Sequence, residues 1–491
     1  MPSLIEIKSL IEPHFHSKLV GNEYILSPIN ARELLTHNRI DIAFKILFIE
    51  MLHYDVDFAR RLYIKHLKAF GLGEIREPGN DLKNNAEAFI DEFKSIFSSI
   101  QHNGFDKSKT IIPIGIGESI LNGAHRVACS ILLEEKIYCT NLGIADYSYD
   151  YKYFIQRNMT EEDIEAAVTS FIEHASNVFI ALVWPSAIGG NSEIENLITN
   201  IIYCKEIQLN KNGAKNLLTQ VYNEEAWIGD ESNEFNGIST KLQRCFANNS
   251  AVRVIAFQES SLSQVQEIKE AIRDVFKIGK HSIHITDNKE ETLRMARLLF
   301  NSNSIHFLNN AFPSKNNSYS SIREIKYLLR ENHISESDIV FDSGIVLSMY
   351  GLRETMDIDF ISNKALHLNS ETLIIDSHDT ELKYHTETKD NLIYNPKLHF
   401  YFNDIKFVSL EQVYKMKAKR AELKDINDLK LIRGVISRSH FKTLLYRAKV
   451  FILYTKTIIG SKINTSFIFS FLKRVGLYNF IRFIYRSLKG K

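Results

Sequence analysis

Between about residue 195 and residue 362 the apolar residues change period repeatedly, and this alternation limits the folds open to the chain more than any other feature. A helix-period stretch gives way to the strand-like VRVIAF, the helical SQVQEIKEAIRDVF, the strand-like HSIHIT, the helical KEETLRMARLLF and the strand-like IHFL. After the polar run 313–321 come a helix over 321–331, the strand DIVF, a turn at Asp342-Ser343-Gly344, a short helix and the strand DIDFIS. Elements in this order predict helices layered on sheet, hence an α/β (α+β) architecture.

The first 105 residues carry apolar spacing of the helical kind, through 40–70 and again through 86–100. TIIPIGIG then reads as a strand, NGAHRVACSILLEE as a helix, and the segment up to Ala187 as further helix closed by a Trp184-Pro185 turn. A chain of 491 residues is long enough for several cores, and the Gly189-Gly190-Asn191-Ser192 stretch suggests the first boundary. The expected division is 1–190, 191–315, 316–438 and a basic amphipathic tail, 439–491. Cys129, Cys139, Cys204 and Cys245 have neither zinc-type nor redox-pair spacing, which favours a reducing compartment. The N-terminal residues lack the basic start and apolar core of a secretory signal, and no run of about 18 uncharged apolar residues occurs. A cytoplasmic location is expected.

The segment DSGIVLSMYGLRETMDIDF, 342–360, carries the most chemistry. On an extended strand Asp357 and Asp359 project to one face while Ile358 and Phe360 project to the other. Paired carboxylates suit a hard divalent cation such as Mg²⁺, which takes carboxylate oxygens together with substrate phosphates. Upstream, Ser343-Gly344 at the opening of a helix offers unhindered backbone N–H groups to a phosphate, and Arg353 offers a further cation. The combination resembles the polymerase-beta-type nucleotidyltransferase superfamily, in which a Gly-Ser or Gly-Gly turn is followed, about ten residues on, by Asp-x-Asp between apolar positions. Here the turn runs Ser343-Gly344. The resemblance implies a third carboxylate on a neighbouring strand, either Asp376 or Asp404. Residues 407–432 resemble the Lys/Arg-rich helical end of related nucleotidyltransferases, which implies that Lys417, Arg420 and Lys424 approach the phosphates. The resemblance spans about 320–435 and implies a nucleoside triphosphate, ATP or CTP, as substrate.

Asn122-Gly123-Ala124-His125-Arg126 stands between a strand and an apolar helix, with Asn122 suited to cap the helix and Gly123 to a left-handed turn. Helix amides with a His and an Arg make an anion site. The segment resembles the Gly-x-His-Arg signature of the ParB/sulfiredoxin-like fold over about 105–145. That likeness implies a second phosphate site at Asn122, Gly123, His125 and Arg126, with Glu118 as a general base or metal ligand in a kinase-like step. Ala124 stands where sulfiredoxin chemistry needs a Cys, so peroxiredoxin repair is not expected. His281, His284 and Asp287 lie close together, but their spacing suits a polar loop better than a metal site, with Asp287 capping the next helix.

Fourteen Lys and Arg and no Asp or Glu follow Asp428, so a basic, aromatic tail is joined to an acidic body. Residues 440–491 have the composition of a helix lying in an anionic membrane surface, of a nucleic-acid grip, or of a cover for an apolar patch on the body. The expected location is cytoplasmic and peripheral on the membrane, and a chain of this make-up resembles enzymes of bacterial surface-polysaccharide clusters, which implies the same kind of activity here. The enzyme would transfer a nucleotidyl or phosphoryl group to a sugar, sugar phosphate or similar small acceptor. The competing expectations are a toxin- or defence-type nucleotidyltransferase acting on RNA or DNA, a ParB-like nucleic-acid-binding protein, and a non-catalytic scaffold.

Overall fold

A computed structural model describes residues 4–19, 23–76, 83–248, 250–315, 318–366, 368, 370 and 373–436. The chain divides into two compact units, 1–420 and 421–491. The described part of the second unit, 421–436, is chiefly the helix Leu423–Ile436, and the Glu422 amide just before it donates to Asp425 Oδ2 at 3.2 Å. The expected tail and its boundary at 438 lie outside the described residues.

Among its described residues the first unit is mixed α/β and holds three sheets. β1 (Ser27–Asn30), β2 (Ile112–Ile114) and β3 (Lys136–Asn141) form a small sheet in the order β1-β3-β2, antiparallel then parallel. Helices Ile40–Glu50 and Ala86–Asn103 pack against the helix Ala124–Leu132, and Asp57–Phe70 packs against Ile40–Glu50; the helical spacing of the first 105 residues predicts these long helices. Their interior holds a charged cluster: Arg39 donates through Nε and Nη2 to both carboxylate oxygens of the buried Asp41, and Lys45 approaches the same carboxylate at 3.2 Å.

The second sheet contains β4 (Val178–Val183), β5 (Ile201–Ile207), β6 (Val252–Gln258) and β7 (Ile283–Ile285), ordered β5-β6-β4-β7 and antiparallel throughout. β4 corrects the expectation of continuous helix up to Ala187. All six of its residues are buried, so VFIALV lacks the polar alternation that marks a half-exposed strand. Phe179, Ala181 and Val183 face a core shared with Ile194, Val265 and Ile272. Because β4 pairs with β6 and β7, the boundary expected at Gly189-Gly190 cuts through one sheet.

The third sheet positions the candidate site. β8 (Ile339–Asp342), β9 (Asp357–Ser362), β10 (Ile374–Ser377), β11 (His399–Phe402) and β12 (Ile405–Val408) are ordered β10-β9-β8-β12-β11. β9 runs antiparallel to β8 and parallel to β10, and β12 runs parallel to β8. IHFL, expected as a strand, lies instead within the helix Ser302–Asn310, whose N-cap Asn301 accepts from the Ser304 amide at 2.9 Å. That helix lays Phe307 on the sheet, stacked on Phe400 with ring centroids 4.6 Å apart. The next helix back, Lys289–Leu299, is capped by Asn288 rather than Asp287, while the Asp287 amide donates to Glu291 Oε2.

Candidate functional site

β8 delivers Asp342 to the edge of the sheet core, where its side chain is fully buried. Its Oδ1 accepts from the Ser343 amide at 2.7 Å, and its Oδ2 accepts from His378 Nδ1 at 2.8 Å and from His385 Nε2 at 3.0 Å. Burial opposes the charge on Asp342, but the hydrogen bonds and charge of the two imidazoles outweigh it and hold the carboxyl well below the usual range. Burial also opposes charge on His378, and its bond to Asp342 with the nearby Asp359 raises its pKa.

The turn after β8 is strained at Ser343, with φ 60° and ψ −116°. Gly344 follows and opens the short helix Gly344–Met349. A Cβ at position 344 would stand 2.5 Å from Thr355 Oγ1 and 3.4 Å from Asp357 Oδ1, so a side chain there would displace Thr355 beside the carboxylate. Thr355 Oγ1 also donates to Asp357 Oδ1 at 2.6 Å, which orients that side chain beside the turn.

Period-two geometry puts Asp357 and Asp359 on one face of β9, and the register sets Asp376 of β10 directly beside Asp359. Asp357 and Asp376 are exposed and Asp359 is half-buried. Burial raises the Asp359 pKa; His378 and Lys417 pull the other way, while Asp357 and Asp342 add to the rise. Lys417, in the helix Leu410–Arg420, is buried within electrostatic reach of Asp359. The three carboxylates form an open shelf and do not close into a preformed ion cage.

The remaining sequence candidates fall elsewhere. Asp404 lies in the turn just before β12, which runs parallel to β8, so it sits at the opposite end of the sheet from Asp342 and pairs with Lys326 at 2.9 Å. That end of the sheet is not where Asp357 and Asp359 stand, whereas Asp376 lies in register with Asp359. Arg420 pairs with Glu381 at 3.1 Å and Arg353 donates to the Glu354 carbonyl. Lys424 belongs to the second unit and pairs with Glu422 at 3.2 Å.

In the Asn122–Arg126 turn the cap is Gly123 (φ 90°), not Asn122, whose Oδ1 accepts from the Gly123 amide. His125 Nε2 meets Tyr63 Oη at 2.8 Å in the interior, and burial drives its pKa well down. Arg126 pairs with Glu12 at 2.9 Å and donates to Thr110. Both side chains are therefore engaged by protein groups. Glu118 stands exposed on the turn between β2 and the helix, with φ 66°. His284 pairs with Glu291 at 2.8 Å while His281 approaches Arg244, so the middle-section histidines do not converge.

Among the described residues, Asp342, His378 and His385 are the group whose donor atoms all lie within 4.8 Å of one another. His378 and His385 went unread in the sequence, although His378 follows Asp376 by two residues in IIDSH. A cavity of about 330 Å³ lined by Arg297, Tyr394, Tyr401 and Lys406 opens beside Ser337 and Asp338, at the start of β8 and away from the shelf. No helix among the described residues is long and apolar enough to cross a membrane. No family model, curated protein or solved structure matches the chain.

Proposed function

We propose that the chain is a Mg²⁺-dependent nucleotidyl- or phosphoryl-transfer enzyme working on the shelf of Asp357, Asp359 and the Ser343-Gly344 turn. The observation that carries this reading is the approach of the turn to the carboxylate, 3.4 Å from an added Cβ at 344 to Asp357 Oδ1. A phosphate seated on that bare backbone would be within reach of a cation held by Asp357. The donors there are all oxygens, and Mg²⁺ needs only one or two protein carboxylates when phosphates and water complete its shell. Bound Mg²⁺ would neutralise charge on the triphosphate.

In this reading Asp357 and Asp359 hold the cation and the Ser343 and Gly344 backbone seats the triphosphate. The acceptor is a sugar, sugar phosphate or similar small molecule, and the exposure of Asp357 and Asp376 leaves room for it. Asp376 takes the proton of the acceptor hydroxyl as its oxygen bonds to the α-phosphorus and the bond to pyrophosphate breaks. Thermal unfolding of the full chain with each of the four NTPs, with and without Mg²⁺, tests it. A shift that requires Mg²⁺ and is lost in Asp357→Asn and in Asp359→Asn is expected, with transfer to sugar phosphates falling about 10³-fold in each variant. A shift that persists in both variants contradicts it.

A further inference from the structure

The three donor atoms behind the shelf come from two parts of the chain. Asp342 ends β8, His378 follows β10, and His385 follows the 3-10 turn Asp379–Tyr384. All three residues are buried, and they supply two imidazole nitrogens and one carboxylate oxygen. That set differs in kind from the shelf above it. Mg²⁺ prefers six oxygens in a strict octahedron, whereas imidazole suits Zn²⁺ and its neighbours in the first transition row.

The spacing is close to what such an ion needs. Bonds of about 2.0–2.1 Å to nitrogen and oxygen set neighbouring ligands roughly 3.3 Å apart in a tetrahedral shell. The contacts from Asp342 Oδ2 to His378 Nδ1 and His385 Nε2 are 2.8 and 3.0 Å, so these two edges have to open by only a few tenths of an ångström, and all three donor atoms lie within 4.8 Å of one another.

The surroundings also match a metal's outer shell. His378 Nε2 lies 4.0 Å from Asp359 Oδ2, an ion-pair separation that a small shift would turn into a hydrogen bond, and the second oxygen of Asp342 is held by the Ser343 amide. Ligating imidazoles and carboxylates are oriented by such partners. Lys419 Nζ donates to the carbonyls of Lys383 and His385, at 2.7 and 3.4 Å, and so steadies the segment that bears His385. His385 Nδ1 is buried without a hydrogen-bond partner. A missing outer partner weakens metal affinity about 10–100-fold, so the site is expected to be of moderate rather than extreme affinity.

We propose that Asp342, His378 and His385 form a binding site for a divalent transition ion of the Zn²⁺ class, structural in role. The ion ties the end of β8 to the segment after β10 and fixes the strained Ser343 turn from beneath. The site stands on its own geometry, whether or not the shelf above it transfers nucleotides.

The test uses the full-length protein, stripped with a chelator and then titrated with ZnCl₂ or MgCl₂. One equivalent of Zn²⁺ is expected to survive gel filtration and to raise Tm, with no such retention of Mg²⁺. His378→Gln and His385→Gln should each lose the retained ion, while Asp357→Asn keeps it even though nucleotide stabilisation is lost. Zinc-edge X-ray absorption on the wild-type protein covers the case in which the histidine variants do not fold; two imidazoles, one or more oxygens and no sulfur are expected. A wild-type protein that keeps no Zn²⁺, folded histidine variants that still keep it, or a spectrum with fewer than two imidazoles overturns the proposal.

Discussion

At Gly344 the smallest possible addition is the most informative one. A methyl group there meets Thr355 Oγ1 at 2.5 Å, and overpacking of this kind costs roughly 1–3 kcal/mol. Gly344→Ala is expected to remain folded by circular dichroism and to lose the Mg²⁺-dependent nucleotide shift; an unchanged shift would separate the turn from the site. Lys406 offers a test by pH. It donates to the carbonyls of Ser337 and Ile393 at 2.7 and 2.8 Å, and burial lowers its pKa to about 7. An unfolded lysine keeps its proton up to about pH 10.4, so between those values the unfolded state binds more protons and stability rises with pH. Below about pH 7 the penalty is complete and flat. Measured as a difference in unfolding free energy, the wild type should gain about 2–3 kcal/mol on Lys406→Met between pH 6.5 and pH 9. An equal difference at both pH values would mean that Lys406 titrates normally.

At the scale of elements, the helix Ser302–Asn310 seals the third sheet through Phe307, which is fully buried against Phe400, Phe402 and Tyr350. Phe307→Ala is expected to cost about 3–5 kcal/mol by denaturant unfolding, because a rigid aromatic cluster collapses poorly around a cavity. A cost under 1 kcal/mol would place that helix off the sheet. The same helix marks a limit of sequence reading: IHFL has strand-like residues, and the Asn301 cap that makes them helical lies four positions upstream. β4 failed in the opposite direction, since burial on both faces erases the alternation that distinguishes a strand from a buried helix. Where one face meets solvent, the pattern was legible. β9 shows its carboxylates on one side and Ile358 and Phe360 on the other, and the Asp342-Ser343-Gly344 turn stands where the sequence puts it. His378 and His385 were not legible, because their meeting with Asp342 depends on how the chain after β10 folds back, and no periodicity encodes that.

Across the molecule, the division expected at residue 190 gives way to a single unit reaching Arg420. Asp163 shows how distant segments are joined: it accepts from Lys65 at 2.8 Å and from Lys397 at 3.0 Å, and the Asp55 amide donates to Asp390 at 2.8 Å. Such links span local periods and leave no trace in composition. A fragment beginning at 191 strips β4 from between β6 and β7, exposing two strand edges, and is expected to aggregate on expression. A soluble monomer with native-like circular dichroism would show that the second sheet does not need β4.

The most direct measurement is a crystal structure of the full chain with Mg²⁺ and a non-hydrolysable NTP. Density is expected for an ion between Asp357 and Asp359, with the triphosphate laid against the Ser343-Gly344 backbone. A triphosphate bound elsewhere, such as at Gly123–Arg126, with the carboxylates of β9 untouched, would contradict the proposed function.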